Sequence, residues 1–205
     1  MKVNAKHSNR ESIRRQVVDT HTFLQTLSQS AGRPCPDCAL PCPCSNSATC
    51  ACGCSPECEQ CPERMSSEPD RYPIEPNIVP LVYAFYDSHI YDPCWSCEGH
   101  LDGTGDHLQK IPRVWFYASS MVYPRLLVEY LDDLLFKKKI RHPWGVRILS
   151  WSDTSEARFS LEPVSPDQRS ITLNELHDDI LVIAGSLKMC LYESGLEYHR
   201  RLQSL

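Results

Sequence analysis

Residues 34–70 of this chain hold almost nothing with which to build an apolar core. Nine of the twelve cysteines fall between Cys35 and Cys61, and Pro34, Pro36, Pro41, Pro43, Pro56, Pro62 and Pro69 interrupt the same stretch. Each proline removes a backbone donor and fixes φ, so the stretch is not helical. With apolar side chains so scarce, either nothing organises it or something other than hydrophobic burial does.

The spacing indicates what that something is. It runs C-x2-C-x3-C-x-C-x5-C-x-C-x-C-x3-C-x2-C. Cys42 and Cys44, Cys50 and Cys52, and Cys52 and Cys54 are each separated by one intervening residue, which strains a local disulfide. Thiolates this close can instead close round a soft ion. The first thirty residues are polar and carry Lys2, Lys6, Arg10, Arg14 and Arg15 without an apolar run behind them. No export signal is expected, so the expected location is the cytoplasm, where metal is favoured over disulfides. Nine sulfurs satisfy three tetrahedral Zn²⁺ ions if three of them bridge. Structural zinc contributes about 10–16 kcal/mol per ion in small fingers, far more than the few alanines and one leucine here could.

In cysteine density and C-x-C steps the segment resembles metallothioneins and the nine-cysteine, three-zinc modules of pre-SET and CXC domains. That resemblance implies zinc at Cys35, Cys38, Cys42, Cys44, Cys50, Cys52, Cys54, Cys58 and Cys61. An iron–sulfur or redox reading remains open. Cys35, Cys38, Cys58 and Cys61 could hold a cluster, and Cys54, Cys58 and Cys61 have the C-x3-C-x2-C spacing of radical S-adenosylmethionine enzymes.

Charge divides the chain at the same boundaries. Residues 1–34 hold six Lys/Arg against two Asp/Glu, residues 35–70 hold one against six, and the rest fourteen against eighteen, for a net charge of −5. Nucleic acid is therefore not expected as a partner. No apolar run approaches the roughly 20 residues that a membrane-spanning helix needs.

The expected organisation is an amphipathic N-terminal helix within residues 1–33, a metal-thiolate segment at 34–70 and an α+β domain at 71–205. In the helix, expected from about Ser8 to Ser28, Ile13, Val17, Thr20, Leu24 and Leu27 share one stripe. Ser8 and Glu11 have capping-box spacing. The helix either packs on its own protein or docks a protein partner. In the domain, helices are expected from Asn77 to Ser88, from Pro124 to Lys139, and onward from the Thr172–Glu175 capping box. Strands are expected at Arg113–Ala118, Gly145–Ser152 and Ala157–Glu162, the last two joined by a turn. The order α-β-α-β-β-α implies a small antiparallel sheet packed with helices.

A second constellation precedes the first strand. Cys94, Cys97, His100 and His107 follow C-x2-C-x2-H-x6-H, the ligand types of a C2H2 zinc site. Gly103 and Gly105 would let the loop turn back to bring His107 round. The alternative puts Cys97 and Trp95 in the core, with His100 hydrogen-bonded near a turn. Ser96-Cys97-Glu98-Gly99-His100 before Pro112-Arg113-Val114-Trp115-Phe116 looks like a pattern of small uncharacterised bacterial and phage proteins. It is also similar to the Ser-Cys-Ser-Gly-Arg stretch of Tyw3-like tRNA-wybutosine methyltransferases, which would imply a transferase; here His100 replaces the arginine.

Beside the iron–sulfur or redox reading, two functions remain open. The first is a noncatalytic zinc-thiolate protein with a structural or partner-interaction role. The second is a small thiol-based or transferase enzyme, with Cys97 as nucleophile and His100 or His107 as its base. The first is preferred, because Glu98, Asp102 and Asp106 oppose thiolate formation. Cys190 lies on a helical apolar stripe and reads as a small hydrophobe.

Overall fold

Alternation in one strand sets the architecture. From Arg113 to Ala118, Val114, Phe116 and Ala118 are buried while Arg113, Trp115 and Tyr117 are only half so, the period-two pattern of a strand with one face on a core. The computed structural model describes residues 10–29, 74–105, 107–152, 155–164 and 171–204. The cysteine segment with its nine expected ligands, Ser8, Asp106 and the turn tip at 153–154 lie outside the described residues.

The described elements are α1 (Arg10–Gln29), α2 (Val79–Ser88), β1 (Asp92–Cys97), β2 (His100–Leu101), β3 (Leu108–Lys110), β4 (Arg113–Ala118), α3 (Val122–Phe136), β5 (Trp144–Ser152), β6 (Ser155–Pro163) and α4 (Leu173–Gln203). Four strands form an antiparallel sheet in the order β1-β4-β6-β5, and β2 and β3 pair separately. The protein is α+β. Register places Phe159 and Leu161 of β6 beside Phe116 and Val114. That face joins the helices' apolar sides in one core, with the Phe85 ring edge-on to Phe116 at 5.0 Å. Among the described residues, no helix is long and apolar enough to cross a membrane.

The expected capping box starts α4: Thr172 Oγ1 accepts the Glu175 N–H at 3.3 Å, and Glu175 Oε2 accepts the Thr172 N–H at 3.2 Å. Leu176, Ile180, Ile183, Leu187, Leu191 and Tyr198 then line its buried side. The N-terminal helix shares this core. Phe23, Leu24 and Leu27 are buried, and a Cβ at Gly195 would lie 3.0 Å from Leu24 Cδ2 and 3.1 Å from Phe23 Cε1. The apolar stripe of α1 is thus covered by α4 and α3.

The main difference from expectation lies around Cys94–His107, read from sequence as a loop. It forms β1 and the β2–β3 hairpin, and Pro93 is accommodated because β1 is an edge strand. Trp95 is 45% exposed rather than a core residue. The third helix begins at Val122 and ends at Phe136, so Lys137–Lys139 follow it instead of forming its last turn. Cys190 is half-buried against the core.

One buried carboxylate organises the connection from α3 into β5. Asp179, 2% exposed, accepts the backbone N–H groups of Arg141 (2.8 Å) and His142 (3.0 Å) and the Trp144 indole N–H (3.2 Å). Asp179→Ala strands three donors, and urea denaturation should show a loss of about 3 kcal/mol. An unchanged midpoint would mean that this network carries no net stability.

Candidate metal centre

Where β1 ends, the chain reverses through Glu98 and Gly99 into β2. Gly99 has φ +89, and a Cβ there would stand 2.7 Å from Leu173 Cδ1, 2.9 Å from Pro112 Cδ and 3.0 Å from the Lys110 carbonyl oxygen. Only glycine meets both demands. The reversal brings Cys97 and His100 to the same side, against a residue from before α2. Glu75, Cys97 and His100 present their ligand atoms within 4.8 Å of one another. The Glu75 Oε1–His100 Nε2 distance is 3.0 Å.

A second layer of contacts fixes this arrangement. Glu75 Oε2 accepts the Glu98 backbone N–H at 2.6 Å, and Glu98 Oε2 accepts the Asn77 N–H at 2.8 Å. These reciprocal bonds tie residues 75–77 to the turn. From α4, His177 Nε2 donates to the Glu98 carbonyl at 2.8 Å. Metal-site carboxylates and turns are held by such outer contacts.

The chemistry suits a borderline-soft divalent cation. Carboxylate, thiolate and imidazole are all zinc ligands, and in tetrahedral zinc an N and an O ligand stand about 3.3 Å apart. Glu75 and His100 need to spread by only a few tenths of an ångström. Burial pushes the Cys97 thiol above its ordinary range. The Gly99 N–H works against that shift, Glu75 adds to it, and Lys110 and Arg113 lower it again. A cation here would turn the opposition between two acids into coordination.

Of the four residues expected as a second zinc site, the structure brings together Cys97 and His100. Cys94 occupies the bulge between Pro93 and Trp95, is exposed, and lies near Tyr117 and Arg158. His107 is exposed at the base of the hairpin loop, where its carbonyl accepts the Asp102 N–H at 2.8 Å and its own N–H reaches Asp102 Oδ1 at 3.4 Å. Glu75 was not foreseen. It is 22 positions from Cys97, so spacing does not link them. The sequence signal near it is Pro76, which biases Glu75 toward an extended backbone.

Two outcomes are expected. Gly99→Ala should cost about 2 kcal/mol in urea denaturation, from φ strain and overlap together. In chelator-treated protein at neutral pH, Cys97 should react with iodoacetamide more slowly than free cysteine, because a raised thiol pKa leaves less thiolate. The rate should climb as pH rises past the ordinary thiol range, and mass spectrometry of the Cys97 peptide reads it; fast neutral alkylation would show that the thiol is not held protonated. Comparison with protein families, curated proteins and solved structures returns no match.

Proposed function

We propose that this chain is a metal-binding protein of the zinc class with a structural or partner-interaction role. The thiolates of Cys35–Cys61 hold one set of ions, and Glu75, Cys97 and His100 hold another in the α+β domain. The observation that carries the domain site is the meeting of three zinc-type ligands from two distant chain segments within 4.8 Å, braced by bonds from α4 and from the residues before α2. The cysteine segment rests on its C-x-C spacing and its lack of any core.

A thiol-enzyme reading draws on the same residues, because Glu75 beside His100 has the look of a base and its orienting acid. The elevated Cys97 thiol counts against it: a nucleophile needs thiolate at working pH, whereas a metal displaces the proton itself.

Elemental analysis and an absorption spectrum of protein purified under reducing conditions test the proposal. Zinc and a colourless spectrum are expected, whereas visible charge-transfer bands would indicate iron–sulfur. Cys97→Ala and His100→Ala should each remove one metal equivalent, and serine at all nine cluster positions should leave one. Equal metal content in wild type and Cys97→Ala would remove the domain site from the account.

A further inference from the structure

Three protein ligands leave one corner of a tetrahedral ion for an exogenous group. Two cations lie close enough to Cys97 to act on its thiol. Arg113 is the direct cross-strand partner of Cys97, and Lys110 that of His100. Side chains so paired start roughly 5 Å apart on the same face. Zinc balanced by one carboxylate and one thiolate is neutral, so Arg113 and Lys110 against Glu98 leave the site a surplus of one positive charge. That surplus favours an anion, and two separate cationic donors suit the several oxygens of a phosphate monoester. The acid nearest in sequence, Glu98, turns its carboxylate to the Asn77 N–H.

An aromatic surface adjoins. Trp95 lies two residues before Cys97 and, by the pairing of Trp95 with Trp115 and Cys97 with Arg113, on the same sheet face, about 7 Å along the strand. It packs on Trp115 with ring centroids 4.6 Å apart and keeps 45% of its surface exposed. A braced, exposed indole is a stacking platform for a planar ring. The Trp115 indole N–H beneath is buried without a partner among the described residues.

We infer that the Glu75–Cys97–His100 centre binds a nucleoside phosphate, with the phosphate on the metal between Arg113 and Lys110 and the base on Trp95. This inference rests on the metal reading above. A ribose spans the interval between the two halves. A nucleotide offers a dianionic group and a flat ring at that separation, and a small ligand of this kind does not require the broad basic surface that the net charge of −5 disfavours.

The test is isothermal titration of zinc-loaded full-length protein with AMP, adenosine, inorganic phosphate and a 5′-phosphorylated single-stranded oligonucleotide, with zinc per chain measured on the same samples. AMP should bind at least tenfold more tightly than adenosine or phosphate. Chelation or Arg113→Ala should weaken AMP at least tenfold. Trp95→Ala should abolish the preference for AMP over phosphate while leaving phosphate affinity within about twofold, which general destabilisation would not do. Oligonucleotide binding equal to or tighter than that of AMP would assign the nucleotide to a strand end, and weaker binding would assign a free nucleotide. If Cys97→Ala loses one zinc but AMP does not bind, or binds no better than phosphate, the nucleotide inference is overturned and the metal site stands. If Cys97→Ala loses no zinc, both fall.

Discussion

The candidate site depends on the two-sided engagement of one carboxylate. One oxygen of Glu75 accepts the Glu98 backbone N–H, and the other meets the His100 imidazole. Together these contacts fix where the chain before α2 lies against the end of β1, and they orient His100 toward Cys97. The turn they hold favours glycine at position 99, where any side chain would add φ strain and crowd Leu173 and Pro112. From α4, His177 and Leu173 press on the same turn, so the longest helix sets the shape of the site.

The sheet separates two kinds of physics. Its inward face, with Val114, Phe116, Phe159 and Leu161, supplies the apolar burial that holds the helices. Its other face carries Trp115, Tyr117, Arg158, Ser160 and Glu162, and there Ser160 and Glu162 are buried with their polar groups paired. Arg147 and Ser160 both engage Glu162, at 2.9 Å each. Cys97 belongs by register to this second face, yet it is only 6% exposed. It shares that burial with Ser160 and Glu162, and what distinguishes it is the pair of ligand-type side chains beside it, Glu75 and His100.

Helices and inner strands were legible because their signals are periodic and local. The apolar stripe of α4, its Thr172–Glu175 box and the alternation of β4 each announce one element, and each forms where the pattern says. Strand β1 was not legible, because Asp-Pro-Cys-Trp-Ser-Cys has neither strong alternation nor a run of branched residues; its partner β4 makes it a strand. The site was half legible. Cys97 and His100 stood out as a metal-ligand pair, but the chain closes the triad with Glu75 rather than with Cys94 or His107. Long-range tertiary contact decided that, and spacing within one loop carries no information about it.

The central claim is that a metal ion joins the carboxylate, thiolate and imidazole at the end of β1. Zinc K-edge absorption on full-length protein with serine at Cys35, Cys38, Cys42, Cys44, Cys50, Cys52, Cys54, Cys58 and Cys61 tests it most directly. The account requires a single sulfur at about 2.3 Å and nitrogen or oxygen neighbours at about 2.0–2.1 Å. A shell without sulfur, or with several sulfurs, would contradict it.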